Sequence, residues 1–246
     1  MDTEPAASGR APASRIRGAG DERISLVCFL YSRHDTYLAM PTRWRERLEA
    51  LCRTRGPGPK PTFSIVHLLK AIGSIARAGQ IGRASLAREL GLGEGATRTL
   101  LDRLARAGLI RTSRRGCELT EAGRALWAEI SEDLAWKTGI ARSALALGEH
   151  NVAVLVRDRA SKVRSGMEQR DAAVRAGARG AITMVFTGGR LAIPGISEDA
   201  SSEYPSACKA LLDALRPREG DVIIVCWADN ALSAEYGALA AALSLL

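Results

Sequence analysis

The chain is poor in the residues that build metal and redox centres. Among 246 residues there are three histidines and five cysteines. Cys28, Cys52, Cys117, Cys208 and Cys226 include no Cys-x-x-Cys pair, and His34, His67 and His150 join them in no zinc-binding spacing. That argues against a structural metal and a disulfide framework, and reduced thiols fit a cytoplasmic protein. Long apolar runs are missing too. The stretch Ile24–Tyr31, ISLVCFLY, is far shorter than the roughly 20 apolar residues a membrane helix needs. No small-residue cleavage site follows it, as a secretory leader would require. No membrane partner is expected. The chain also has no Gly-x-Ser-x-Gly, no phosphate-binding P-loop and no dinucleotide fingerprint, so neither an enzymatic activity nor a cofactor is expected.

Charge is plentiful but unevenly placed. The net charge is +8, with 25% charged and 46% hydrophobic residues. Residues 1–60 hold 11 Lys+Arg against 7 Asp+Glu, residues 61–130 hold 11 against 6, and residues 131–246 hold 13 against 14. The positive excess therefore lies in the front half, which favours a nucleic-acid partner there. Residues 1–20 are rich in Ala, Gly, Ser, Pro and Arg, and 1–39 reads as a disordered N-terminal extension, although 24–31 has strand character. Regular patterning begins just after Met40, which suggests Met40 as the initiator; N-terminal sequencing that finds earlier residues would refute this. Thr42–Gly56 reads as a short amphipathic helix, broken by GPGPKP.

The most informative stretch is Gln80–Gly123. A helix is predicted from Phe63, capped by Thr62, with Phe63, Val66, Leu69, Ile72 and Ile75 on one face. A second helix carries Leu86, Ala87 and Leu90 inward and stops at Gly91. A third carries Leu100, Leu101 and Leu104 inward, with Thr97, Arg98, Asp102 and Arg103 opposite, and stops at Gly108. LIRTSR and CELT then read as a hairpin with Arg114, Arg115 and Gly116 at its tip. Two helices, a turn and a basic hairpin are the layout of a winged helix-turn-helix. Such a domain inserts one helix into the major groove, where Arg reaches guanine O6 and N7. Thr97, Arg98, Thr99 and Arg103 are the candidate base readers. Arg83 and Ser85 are candidates for phosphates at a helix start, and Arg114 and Arg115 for phosphates at the wing. The competing reading is a solvated face on which Asp102 and Glu94 compensate the arginines.

Glu121–Leu147 reads as a long helix with a break at Gly139, of a kind that often carries dimerisation. A homodimer would match a palindromic operator. From Asn151 the period changes. NVAVLVR and DVIIVCWA read as buried strands, and AITMVF and RLAI as a hairpin about Gly188-Gly189. SGMEQRDAAVRAGA is a helix with a Ser165–Glu168 capping box, PSACKALLDAL a helix opened by proline, and LSAEYGALAAALSLL a closing helix. The order β-α-β-β-α-β-α suggests a ferredoxin-like βαββαβ domain. The fold class expected is thus α+β: a winged helix-turn-helix over 40–147 and a small α/β effector-binding or dimerisation domain over 148–246. Arg170, Asp171, Asp229 and Asn230 sit at helix starts and a strand end, and are the candidate residues for a small-molecule ligand.

The strings GPGPKPTF, HLLKAIG, LARELGLGEGATRTLLDRL and GLIRTSRRGCELTEAG resemble an archaeal-type family of winged-helix transcriptional regulators. GMEQRDAAVRAGARGAITMVF and GDVIIVCWADNALSAEYGALAAAL look like its C-terminal domain of unknown function. The resemblance spans about residues 55–246. It implies binding to double-stranded DNA, with a second domain that senses an effector, and supplies no binding residue of its own. Two other classes remain open: a winged helix fused to a small-molecule-modifying enzyme, and a winged helix used to dock a protein. Turnover by residues 148–246 would mark the first. Salt-insensitive protein binding without DNA affinity would mark the second.

Overall fold

The computed structural model describes residues 43–53 and 61–246. The expected N-terminal extension and the strand at 24–31 lie outside those residues. Helix α1 (Arg43–Cys52) is followed by α2 (Ile65–Ala78), α3 (Arg83–Leu90) and α4 (Glu94–Arg106), then by the hairpin β1 (Ile110–Ser113) and β2 (Gly116–Leu119). Helix α5 (Glu121–Asp133) leads into β3 (Leu134–Thr138) and β4 (His150–Val156). Next come α6 (Met167–Arg175), β5 (Gly180–Thr187), β6 (Arg190–Ala192), α7 (Ala200–Glu203), α8 (Pro205–Leu215), β7 (Val222–Ala228) and α9 (Ala231–Leu243). The protein is α+β.

Several local expectations shift. Helix α2 starts two residues late, with Ser64 as its N-cap; the Ser64 N–H donates to Nδ1 of His67, 3.1 Å away. Helix α6 is preceded by Gly166 at φ 76° rather than by a Ser165–Glu168 box. The long helix expected through Leu147 ends at Asp133. Residues 134–138 turn instead into a strand that pairs with β4, Leu134 opposite Val156 and Thr138 opposite Val152. The apolar face of α5, Leu126 and Ile130, is wholly buried within the protein, so it is not an open dimerisation seam.

The sheet order is β3-β4-β7-β5-β6, antiparallel throughout. The expected elements recur in order, with β3 added before them and the short α7 before α8, but the ferredoxin-like arrangement is not what the strands adopt. There the first and third strands of the repeat are central and both helices share a face. Here β7 and β5 are central, and helices cover both faces. Val152, Val154, Val156, Ile224 and Cys226 point to the side of α6 and α9; Ala153, Leu155, Ile223 and Val225 point to the side of α8. The cause is visible in β7 and in β4 from Val152 onward, which are apolar at every step. A strand without alternation must be covered twice.

The core of α1–α5 is continuous with the α6/α9 face of this sheet. Each fully buried Leu or Ile in it contributes about 1.5–3 kcal/mol by burial. β3 precedes the expected division at 147/148 and yet pairs within the same sheet.

Candidate nucleic-acid interface

Helices α3 and α4 start alike. Each has a glycine N-cap, Gly82 or Gly93, in extended backbone with no side-chain capping bond. Their first N–H groups are therefore left to an outside acceptor, and the positive end of the helix dipole faces the same way. Gly91, at φ 58°, ends α3 in the left-handed conformation, and its N–H closes on the Ala87 and Arg88 carbonyls. The hairpin is fastened to this pair. Ile81 donates to the Cys117 carbonyl at 3.0 Å and Cys117 donates back at 2.8 Å, which lays β2 beside the first turn of α3.

Arg83 joins the parts. It stands on α3 near Cys117 of the hairpin, whose thiol it draws down against the larger upward push of burial. Arg83 also lines a cavity of about 340 Å³ between α3 and α4, with Ala84, Ala87, Glu94, Thr97, Arg98 and Leu101. Arg83, Arg98, Arg114 and Arg115 are exposed, and none has an ion-pair partner among the described residues. Ser85 is half-buried and accepts weakly from Arg88. Thr99 is exposed and turns its hydroxyl back to the Gly95 carbonyl at 2.9 Å.

Two expected base readers are corrected. Thr97 is buried at 2% exposure, and its hydroxyl donates to the Gly93 carbonyl, so it packs under the turn. Arg103 points the other way, towards α1. It donates to the carbonyls of Leu51 and Arg53 and lies 5.3 Å over the ring of Phe63. Both errors come from treating the non-leucine side of α4 as one open face, when α1 and α3 cover its flanks. Arg103→Ala is expected to lower the unfolding free energy by about 1–3 kcal/mol through these bonds and to leave sequence preference unchanged. Urea unfolding beside competition binding checks this; lost preference at full stability would return Arg103 to base reading.

The four candidate ligand residues do not form a site. Asp229 pairs with Arg179 at 2.8 Å, both side chains about 70% exposed. Asn230 is the N-cap of α9, accepting from Ser233 N–H at 2.8 Å. Arg170 reaches only Met167 Sδ, and Asp171 is exposed on the same helix. The thiols are no better placed for chemistry: burial pushes Cys52 up to about 11 and Cys226 to about 12, so both stay protonated.

A polar network missing from the sequence reading joins α2 and α3 to α9. Lys70 on α2 donates to Glu235 on α9, and both side chains are 8% exposed. Trp136 of β3 donates its indole N–H to the other Glu235 oxygen at 3.1 Å. The Trp136 ring carries Arg77 at 5.4 Å and meets Trp127 edge-on. Next to them, Tyr236 packs on His67 and donates its hydroxyl to the Leu90 carbonyl at 2.7 Å. Burial, with the Glu235 charge behind it, pushes the Tyr236 phenol up, which keeps it a donor. Leu232 packs against Gly91, where a Cβ would lie 2.4 Å from it. α9 thus holds the end of α3 and the turn before α4. The signal lay in two single charges of opposite sign inside apolar helices, Lys70 in HLLKAIG and Glu235 in LSAEYGALAAAL.

Comparison with known proteins matches the chain in two stretches. Residues 147–245 match a domain of unknown function (DUF4443), and residues 75–125 match the N-terminal domain of PH0730-like proteins. Among solved structures, the hypothetical protein PH0730 from Pyrococcus horikoshii OT3 is similar at 24% identity, with a TM-score of 0.63 over 74% of this chain and 92% of that one. That likeness shows a shared fold. RV1404 from Mycobacterium tuberculosis is 26% identical, covering 36% of this chain and 59% of that one, with a TM-score of 0.27 that bears on nothing further. No curated protein matches. The similarity is to archaeal-type domains without an assigned activity. No helix among the described residues is long and apolar enough to cross a membrane.

Proposed function

We propose that the protein is a cytoplasmic transcriptional regulator that binds double-stranded DNA through α3, α4 and the β1–β2 hairpin, used as a winged helix-turn-helix. The observation that carries this reading is the set of four unpaired arginines. Arg83 on α3, Arg98 on α4 and Arg114 and Arg115 at the hairpin tip are all exposed without a carboxylate partner among the described residues. Arg111, by contrast, is already paired with Glu118. Unpaired guanidinium groups beside two open helix N-termini suit a polyanion better than a solvated face.

In this reading the α/β half is the regulatory partner. It acts on the reading head through α9, and a small-molecule effector would work by preferring one setting of that contact. A homodimer on a two-fold operator completes the proposal, and light scattering with and without duplex would test it. Arg114→Ala is expected to weaken binding to all duplexes and to lower the slope of log affinity against log salt by about one. Fluorescence anisotropy across a salt series measures it. An unchanged slope removes the hairpin from the interface, and no duplex affinity at low salt removes the function.

A further inference from the structure

Helix α4 carries a row of charges at four-residue spacing: Glu94, Arg98, Asp102 and Arg106. All four are exposed, and the signs alternate. Such a row would ordinarily close into i,i+4 ion pairs, as Arg45–Glu49 and Lys209–Asp213 do elsewhere in this protein. Here none of the four makes an ion pair among the described residues. Glu94 and Arg98 share the cavity between α3 and α4, where Arg83 supplies a further positive charge.

Carboxylates on a surface that meets DNA repel phosphates. Glu94 stands in the first turn of α4, where the helix dipole favours a carboxylate; towards DNA it can bond only a base that offers a donor, and in the major groove the cytosine N4 amino group fits that need. Arginine beside it has the complementary preference, two donors for guanine O6 and N7. Thr97 cannot compete for the same bases, since its hydroxyl is spent on Gly93.

From this we infer that Glu94 and Arg98 are the specificity pair of the reading helix and select an operator half-site containing a G·C step. Arg98 donates bidentately to the guanine, and Glu94 accepts from a cytosine amino group in the same half-site. This rests on the DNA-binding reading above and adds to it which duplex is chosen. Glu94 also rejects: a thymine or guanine in the cytosine's place presents acceptors to the carboxylate.

The test is selection of bound duplexes from a random pool by the full-length protein, run for the natural sequence, Glu94→Gln and Arg98→Ala. The natural protein is expected to enrich a motif with a fixed guanine and a fixed cytosine. Glu94→Gln should keep the guanine and exchange the cytosine for adenine, which a glutamine amide reads through N6 and N7. Arg98→Ala should release the guanine column alone. In competition binding each change is worth roughly 5- to 150-fold. Both residues are exposed, and a melting curve for each variant confirms the fold. Retained binding with an unaltered motif in Glu94→Gln overturns the pair while sparing the DNA-binding reading. A natural protein that enriches no duplex overturns both.

Discussion

Lys70→Ala is expected to destabilise the protein by about 3–5 kcal/mol, because it strands Glu235 as an uncompensated buried carboxylate. Glu235 lies at 6% exposure between α2 and β3, and with Lys70 gone it keeps only the Trp136 indole as a donor among the described side chains. One neutral hydrogen bond does not replace a cation in a site that excludes water. Replacing both partners with apolar residues, Lys70→Met with Glu235→Leu, removes the desolvation cost along with the attraction and should recover most of the loss. Equilibrium urea unfolding of the three proteins reads this out. A single-variant loss below about 1 kcal/mol, the range of surface pairs, would show that water reaches Glu235. The double variant has a second use. If α9 sets the reading head through this pair, a protein of restored stability should still show altered duplex affinity, since Tyr236 and Leu232 then hold the α3–α4 turn without the charge that orients α9.

The part of the fold that sequence shows is the part fixed by local chemistry. Gly91 and Gly108 close α3 and α4 where the leucine periods stop, and Gly188-Gly189 turns β5 into β6. What escaped it was set at a distance. Trp127, Ile130 and Leu134 keep a helical spacing, so nothing local announces that the chain becomes extended at Leu134; β3 forms because the open edge of β4 offers it partners. Strand order is likewise settled by packing, and only the unbroken apolar runs Val152–Val156 in β4 and Val222–Ala228 in β7 hinted that helices would lie on both faces. The candidate interface divides the same way. Arg83, Arg98, Arg114 and Arg115 stand open, as their positions on helix face and turn suggest. Thr97 and Arg103 do not, because α3 and α1 lie over the two flanks of α4, and no spacing within α4 records its neighbours.

Gly116→Ala is the substitution expected to cost most at the candidate interface. Gly116 begins β2 at φ 134°, a backbone setting that L-residues rarely adopt. A Cβ there would meet the Ile81 carbonyl oxygen at 2.4 Å and its carbon at 2.7 Å, and both are backbone atoms that cannot rotate away. The hairpin must then leave Ile81, losing the paired bonds between Ile81 and Cys117. Strain of about 1–3 kcal/mol and two lost bonds of about 1 kcal/mol each give a loss of about 3–5 kcal/mol. Gly108→Ala is the control, since Gly108 has φ 72° but nothing within 4 Å of a Cβ, so it carries the backbone term without the collision. Denaturant unfolding should separate the two variants by about 2 kcal/mol or more, on those same terms. Binding should separate them further. The Ile81–Cys117 bridge is what fastens the hairpin to the start of α3, so in Gly116→Ala the salt slope should fall by about two, one for each tip arginine, whereas Gly108→Ala keeps it. Equal behaviour of the two variants would mean that the bridge yields without cost, and the hairpin would then be a flexible arm, not a rigid extension of α3.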